Sequence, residues 1–205
     1  SSDLDCIFTN NTAPLGGGMY NHESSPSLTN CTFTDNSADN GGGIQNASFS
    51  NPTLTDCIFT NNIAANRGGG MRNDSDSDPT LTTCTFTGNS ATIRGGGMEN
   101  SGGSSTLTTC TFTSNSADSG GGMYNTSGNN STLTDCTFTN NTAISNGGGM
   151  LNVGSNPTLS YCTFTDNTAD YGGGMYNGSN SSPTLTNCTL CSNTVNQIFG
   201  NWTDE

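Results

Sequence analysis

Large apolar residues are sparse in this chain and stand at fixed distances from one another. Cys6, Cys31, Cys57, Cys84, Cys110, Cys136, Cys162 and Cys188 are separated by 25 to 27 residues. Two positions after each cysteine comes a phenylalanine, from Phe8 to Phe164, with Leu190 in the last repeat. Three positions before the cysteine stands a leucine, from Leu28 to Leu185. Seven positions after it stands an alanine, from Ala13 to Ala169, with Val195 expected to end the column. A methionine column runs from Met19 to Met175, with Ile44 in the second repeat. Asparagines keep the same beat, from Asn11 to Asn193. A period this steady means one structural unit repeated, with each unit unable to bury its apolar face alone.

The consensus T-L-T-x-C-T-F-T-x-N-x-A, then G-G-G-M-x-N and a polar loop, alternates apolar and polar positions with period two. That period predicts short strands with one buried face. Cys57 and Phe59 share a parity that Leu54 does not, which places a bend between Leu54 and Cys57. A second parity change separates Phe59 from Asn62, and Met71 and Asn73 form a third segment. The chain therefore reads as all-β: one domain over residues 1–205, a parallel β-solenoid of about eight coils with three strands each, roughly 35–40 Å long. Stacking puts each residue type over its own kind, so inward asparagine amides can bond one another along the axis. The glycine triplet marks a bend of positive φ or close backbone approach.

Composition agrees once the stacking is recognised. Asn, Thr, Ser and Gly supply 118 of 205 residues and only 29% are hydrophobic. Such polarity in an aperiodic chain would signal disorder, but the fixed apolar columns argue for a thin, repetitive core. Net charge is −13, with no lysine and three arginines, Arg67, Arg72 and Arg94. That balance argues against binding nucleic-acid phosphates. No apolar run approaches membrane-spanning length, so no membrane insertion is expected.

Phe33-Thr34-Asp35-Asn36 followed by Gly41-Gly42-Gly43-Ile44, recurring in seven units, resembles the repeats of chlamydial polymorphic outer-membrane proteins and their bacterial relatives. The resemblance spans nearly the whole chain and implies a right-handed parallel β-helix displayed outside the cell. A third glycine replaces that family's usual alanine, and no β-barrel domain is present in this sequence.

Candidate chemistry is thin. Cysteines one repeat apart make a column rather than a tetrahedral metal site, and are expected as buried structural thiols; only Cys188 and Cys191 break the rhythm, and their C-T-L-C spacing leaves a local disulfide, a redox pair or neither open. No cofactor is expected, apart from calcium as an alternative at Asp74, Asp76 and Asp78, where Pro79 occupies the usual glycine position. Arg67 and Arg94 share one register, but no general acid or base pairs with them, so no enzymatic activity is expected. Twelve Asn-x-Ser/Thr sequons occur. Asn46, Asn73, Asn125 and Asn177 lie in an inward column, which leaves Asn10, Asn30, Asn129, Asn130, Asn140, Asn180, Asn187 and Asn201 as glycan acceptors. The expected role is an extracellular structural or adhesive rod that self-associates end to end. The alternative is ice binding through Thr-x-Thr rows such as Thr85/Thr87, Thr111/Thr113, Thr137/Thr139 and Thr163/Thr165, spaced like the arrays of β-solenoid antifreeze proteins. A polysaccharide-acting enzyme is the third reading.

Overall fold

The structure is a computed structural model that describes residues 5–204, with no helix among them. Its short strands form four parallel sheets wound into a solenoid of about seven turns. T-F-T strands, Ile7–Thr9 through Thr189–Cys191, make one eight-stranded sheet. T-L-T strands, Ser27–Thr29 through Thr203–Asp204, make the second, and M-x-N strands, Met19–His22 through Ile198–Phe199, the third. A fourth sheet corrects the three-strand reading: six strands, Thr12–Leu15 to Thr142–Asn146, carry the alanine column. Each of these turns a single alanine inward, half-buried at Ala13 and buried from Ala38 to Ala143, too little for a two-residue period to show.

Like lies over like throughout, as in Phe33↔Phe59 and Leu54↔Leu81. Stacked phenylalanine rings from Phe8 to Phe164 have centroids 4.5–4.8 Å apart and planes within 4°. Leu, Cys, Phe and Met columns merge into one continuous core. Val195 departs from expectation: it is 63% exposed and does not end the alanine column.

The bends fall where parity changes. The residue before each cysteine, from Asn30 to Asn187, has φ of 52–55°. A second left-handed position follows each T-F-T, as at Asp35 (φ 54°) and Asn61 (φ 53°). Left-handed backbone costs an ordinary residue roughly 1–2 kcal/mol, least for Asn and Asp. Inter-coil hydrogen bonds hold it even at Thr83, whose N–H donates to the Thr108 carbonyl at 2.9 Å. Glycines make the third corner. Gly68 has φ of 65°, and a Cβ on Gly70 would stand 2.6 Å from the Gly97 carbonyl oxygen and 2.8 Å from the Phe86 ring. A side chain at this third position would therefore meet backbone and ring together.

Polar groups inside the coil are satisfied by ladders. Asn62 Nδ2 donates to Asn89 Oδ1 at 2.9 Å and to the Phe33 carbonyl at 2.9 Å. The second ladder runs from Asn21 to Asn177, as in Asn46 Nδ2 to Asn73 Oδ1 at 2.7 Å. A buried serine row in the loop was not read from the sequence; there Ser50 N–H donates to Ser77 Oγ and Ser105 N–H to Ser131 Oγ, each at 3.1 Å.

Candidate functional site

Outward positions on a solenoid face water unless something overhangs them. The middle position of M-x-N is the exception here. This column reads Tyr20, Gln45, Arg72, Glu99, Tyr124, Leu151, Tyr176 and Phe199 in successive coils. Gln45, Glu99, Tyr124 and Leu151 within it are buried. Opposite them, across the glycine corner, lie the ends of the alanine-sheet strands, where Arg67 and Arg94 pair in register. The register shifts after Ala64 and Ala117 accommodate the variable spacer before the glycines. The result is a groove. One part, about 220 Å³, is lined by Asn40, Asn66, Arg67, Arg72 and Ile93. The next, about 400 Å³, contains Arg94, Ser119, Tyr124 and Tyr176.

All three arginines of this acidic chain therefore gather on one corner. Arg72 Nε donates to Glu99 Oε2 at 3.0 Å, and its Nη1 meets Asp74 Oδ2 at 2.9 Å. Gln45 Nε2 donates to the same Asp74 oxygen at 3.2 Å. Arg94 lies over the Tyr124 ring, 5.0 Å from its centroid, a cation–π contact. Among the described residues Arg67 makes no ion pair. Glu99 is 0% exposed, and burial raises its pKa above the ordinary carboxylate value, against the opposing charges of Arg72, Arg67 and Arg94. Its Oε1, like that of Gln45, has no hydrogen-bond partner. Such an oxygen can accept one donor or, when protonated, give one.

Sequence reasoning paired Arg67 with Arg94 but missed Arg72, Glu99 and Tyr124. A usable signal existed: Arg72 and Glu99 are opposite charges 27 residues apart, in one register.

The other candidates are placed as follows. Asp74, Asp76 and Asp78 do not converge. Asp74 turns to Arg72, Asp76 lies in a left-handed turn, and Asp78 accepts from the Ser104 N–H of the next coil. Among the described residues no group of three or more Asp, Glu, His or Cys side chains is arranged to hold a metal. Asn129 is buried, contrary to expectation, with Nδ2 donating to the Gly103 carbonyl and Oδ1 accepting from Ser131 Oγ at 2.7 Å. Asn10, Asn30, Asn130, Asn140, Asn180, Asn187 and Asn201 are exposed. Five of these, Asn10, Asn30, Asn140, Asn180 and Asn187, occupy left-handed bends, so backbone geometry alone accounts for asparagine there.

The threonine rows are brought together as the sequence predicts. Thr85, Thr111, Thr137 and Thr163 stack in register, as do Thr87, Thr113, Thr139 and Thr165, all half-buried. Ile58, 45% exposed, interrupts the first row. Cys57, Cys84, Cys110, Cys136 and Cys162 are buried free thiols and Cys31 is likewise buried; Cys6 and Cys188 at the ends are half-buried, and Cys191 is exposed.

Neither curated proteins nor solved structures give a match. The family model described as "Right handed beta helix region" matches residues 4–117 and 74–201. Membership is compatible with catalytic and non-catalytic roles. With its parallel sheets, stacked columns and this match over nearly all its length, the chain belongs to the right-handed β-helix family.

Proposed function

We propose that the chain is a non-catalytic rod displayed outside the cell or on its surface, structural or adhesive in role, which self-associates end to end. One observation carries this reading: three of the four sheets run without a break to strands at both ends. The outer edges of Ile7–Thr9 and Thr189–Cys191 pair with no further strand among the described residues. An open parallel edge templates another strand, and head-to-tail contact between copies generates filaments. Exposed Trp202 and half-buried Ile198 and Leu190 line a cavity of about 450 Å³ at one end and give that contact an apolar element. The resemblance of Phe-x-x-Asn and Gly-Gly-x-Ile to bacterial surface-protein repeats supports display outside the cell. The seven exposed sequons support a glycan coat on the outer face.

Sedimentation velocity over a concentration series, with negative-stain electron microscopy of the full chain, tests the assembly. Concentration-dependent filaments of solenoid width are expected. A monomer that persists at high concentration with both ends ordered overturns it.

The in-register threonine grid favours a second reading, ice binding. Its rows repeat about every 4.8 Å across coils and about 7 Å along each strand. Replacing Thr111 and Thr113 by lysine is then expected to abolish thermal hysteresis. An unmodified protein without hysteresis rules this reading out.

A further inference from the structure

Acidic residues outnumber basic ones sixteen to three in this chain, yet the part of the groove of about 220 Å³ has no carboxylate in its wall. It is lined by Asn40, Asn66, Arg67, Arg72 and Ile93. Three strands deliver the polar groups: Asn40 ends Ser37–Asn40, Asn66 and Arg67 end Ile63–Arg67, and Arg72 lies in Met71–Asp74. Their donors are largely free. Among the described residues the half-buried side chains of Asn40, Asn66 and Arg67 make no hydrogen bond and no ion pair. Arg72 holds Glu99 through Nε and Asp74 through Nη1, which leaves Nη2.

Like charges also stand together here. Arg67 pairs in register with Arg94, one coil or about 4.8 Å along the axis. Two cations so placed repel each other, and among the described residues neither is in ion-pair contact with a carboxylate. Glu99, whose charge acts on all three arginines, bonds only Arg72. Asp118, beside Arg94 in the adjoining cavity, instead accepts from the Ser119 and Ser145 hydroxyls at 3.2 and 3.1 Å.

We propose that this cavity binds a tetrahedral oxyanion, phosphate or sulfate, free or as a unit of a longer polyanion, with Arg67 as its principal ligand. A guanidinium presents a planar fork of donors that matches two oxygens of such an ion. Arg67 supplies that fork, and Arg72 Nη2 and the amides of Asn40 and Asn66 supply donors from the remaining sides. A tetrahedral ion offers oxygens in all these directions, where a planar carboxylate offers two. Its charge also relieves the repulsion between Arg67 and Arg94. A chain of net charge −13 repels anions at long range, so retention of one reports this cavity rather than general attraction. A longer polyanion following the groove reaches Arg94 one coil on.

Isothermal titration of the full chain with sodium phosphate and sodium sulfate, in chloride buffer of matched ionic strength, tests the site. Saturable binding at a single site is expected. Arg67→Gln weakens it by about tenfold or more, and Arg67→Lys, which keeps the charge without the fork, retains part of it. Melting separates this role from a structural one. In chloride Arg67→Gln is expected to melt no lower than the native chain, because a repulsion is removed, and phosphate raises the melting temperature of the native chain only. Tripolyphosphate distinguishes the sources: Arg94→Gln weakens its binding but not that of phosphate if the ligand is an extended polyanion, and weakens neither if it is the free ion. No saturable binding by the native chain overturns the proposal, as does equal binding by the native and Arg67→Gln chains.

Discussion

Asn89→Ala removes one rung from the middle of the longer asparagine ladder, and the structure specifies what is lost. Asn89 Nδ2 donates to Asn115 Oδ1 and to the Phe59 carbonyl, each at 3.0 Å. Its Oδ1 accepts the Asn62 backbone N–H at 3.0 Å and Asn62 Nδ2 at 2.9 Å. Asn62 Nδ2 keeps its bond to Phe33, and Asn115 Oδ1 keeps the one from the Asn89 backbone N–H. The Asn62 backbone N–H loses its ladder acceptor and the Phe59 carbonyl loses this donor, both in a dry interior. At about 1–3 kcal/mol for each buried group left without its partner, the expected cost is about 4 kcal/mol. Asn193, in the last coil, makes equivalent bonds to Asn167 and the Phe164 carbonyl but is 7% exposed. Water can replace those bonds, so Asn193→Ala is expected to cost less than half as much. Urea unfolding followed by circular dichroism measures both, with the slope checked for loss of cooperativity. A cost below about 1 kcal/mol for Asn89→Ala, or no difference between the two variants, refutes the view that the ladder is sealed from water.

Glu99 makes stability depend on pH in a defined direction. Its folded pKa is raised above 4.5, chiefly by burial, so its contribution is fully present below that value and is lost as pH rises through the folded pKa. Glu99→Gln is expected to flatten that decline in melting temperature between acid and neutral pH; an unchanged profile contradicts it. Gly70→Ala forces a methyl against the Gly97 carbonyl at 2.6 Å, and is expected to cost about 3 kcal/mol or more through overpacking. Gly128 has φ of 77° and nothing within 4 Å of an added Cβ, so Gly128→Ala is expected to cost only about 1–2 kcal/mol. Thermal melts of the two variants check the order.

The groove shows where sequence reading stops. Arg67 and Arg94 share a repeat position, so their juxtaposition was legible. Arg72 and Glu99 stand at an outward position whose occupant changes in every coil, so no column marks them. Asn129 escaped for a related reason: it lies in the loop of variable length, where register cannot be counted from the cysteine. The alanine sheet went unseen because one small inward residue per strand leaves no alternation to detect.

Everything that repeats in this protein is legible in its amino-acid sequence. In a solenoid, residues one period apart are neighbours in space, so a column in the alignment of repeats is already a tertiary contact. The Leu, Cys, Phe, Met and Asn columns, the bends marked by parity and the threonine rows all follow from that identity. Everything that breaks the repeat is settled instead by packing in three dimensions. Glu99 is buried at an outward position among Arg72, Arg67 and Arg94, and Val195, outside any strand with φ of 72°, is exposed. Such outcomes depend on contacts between dissimilar segments of a coil, and no period in the chain encodes them.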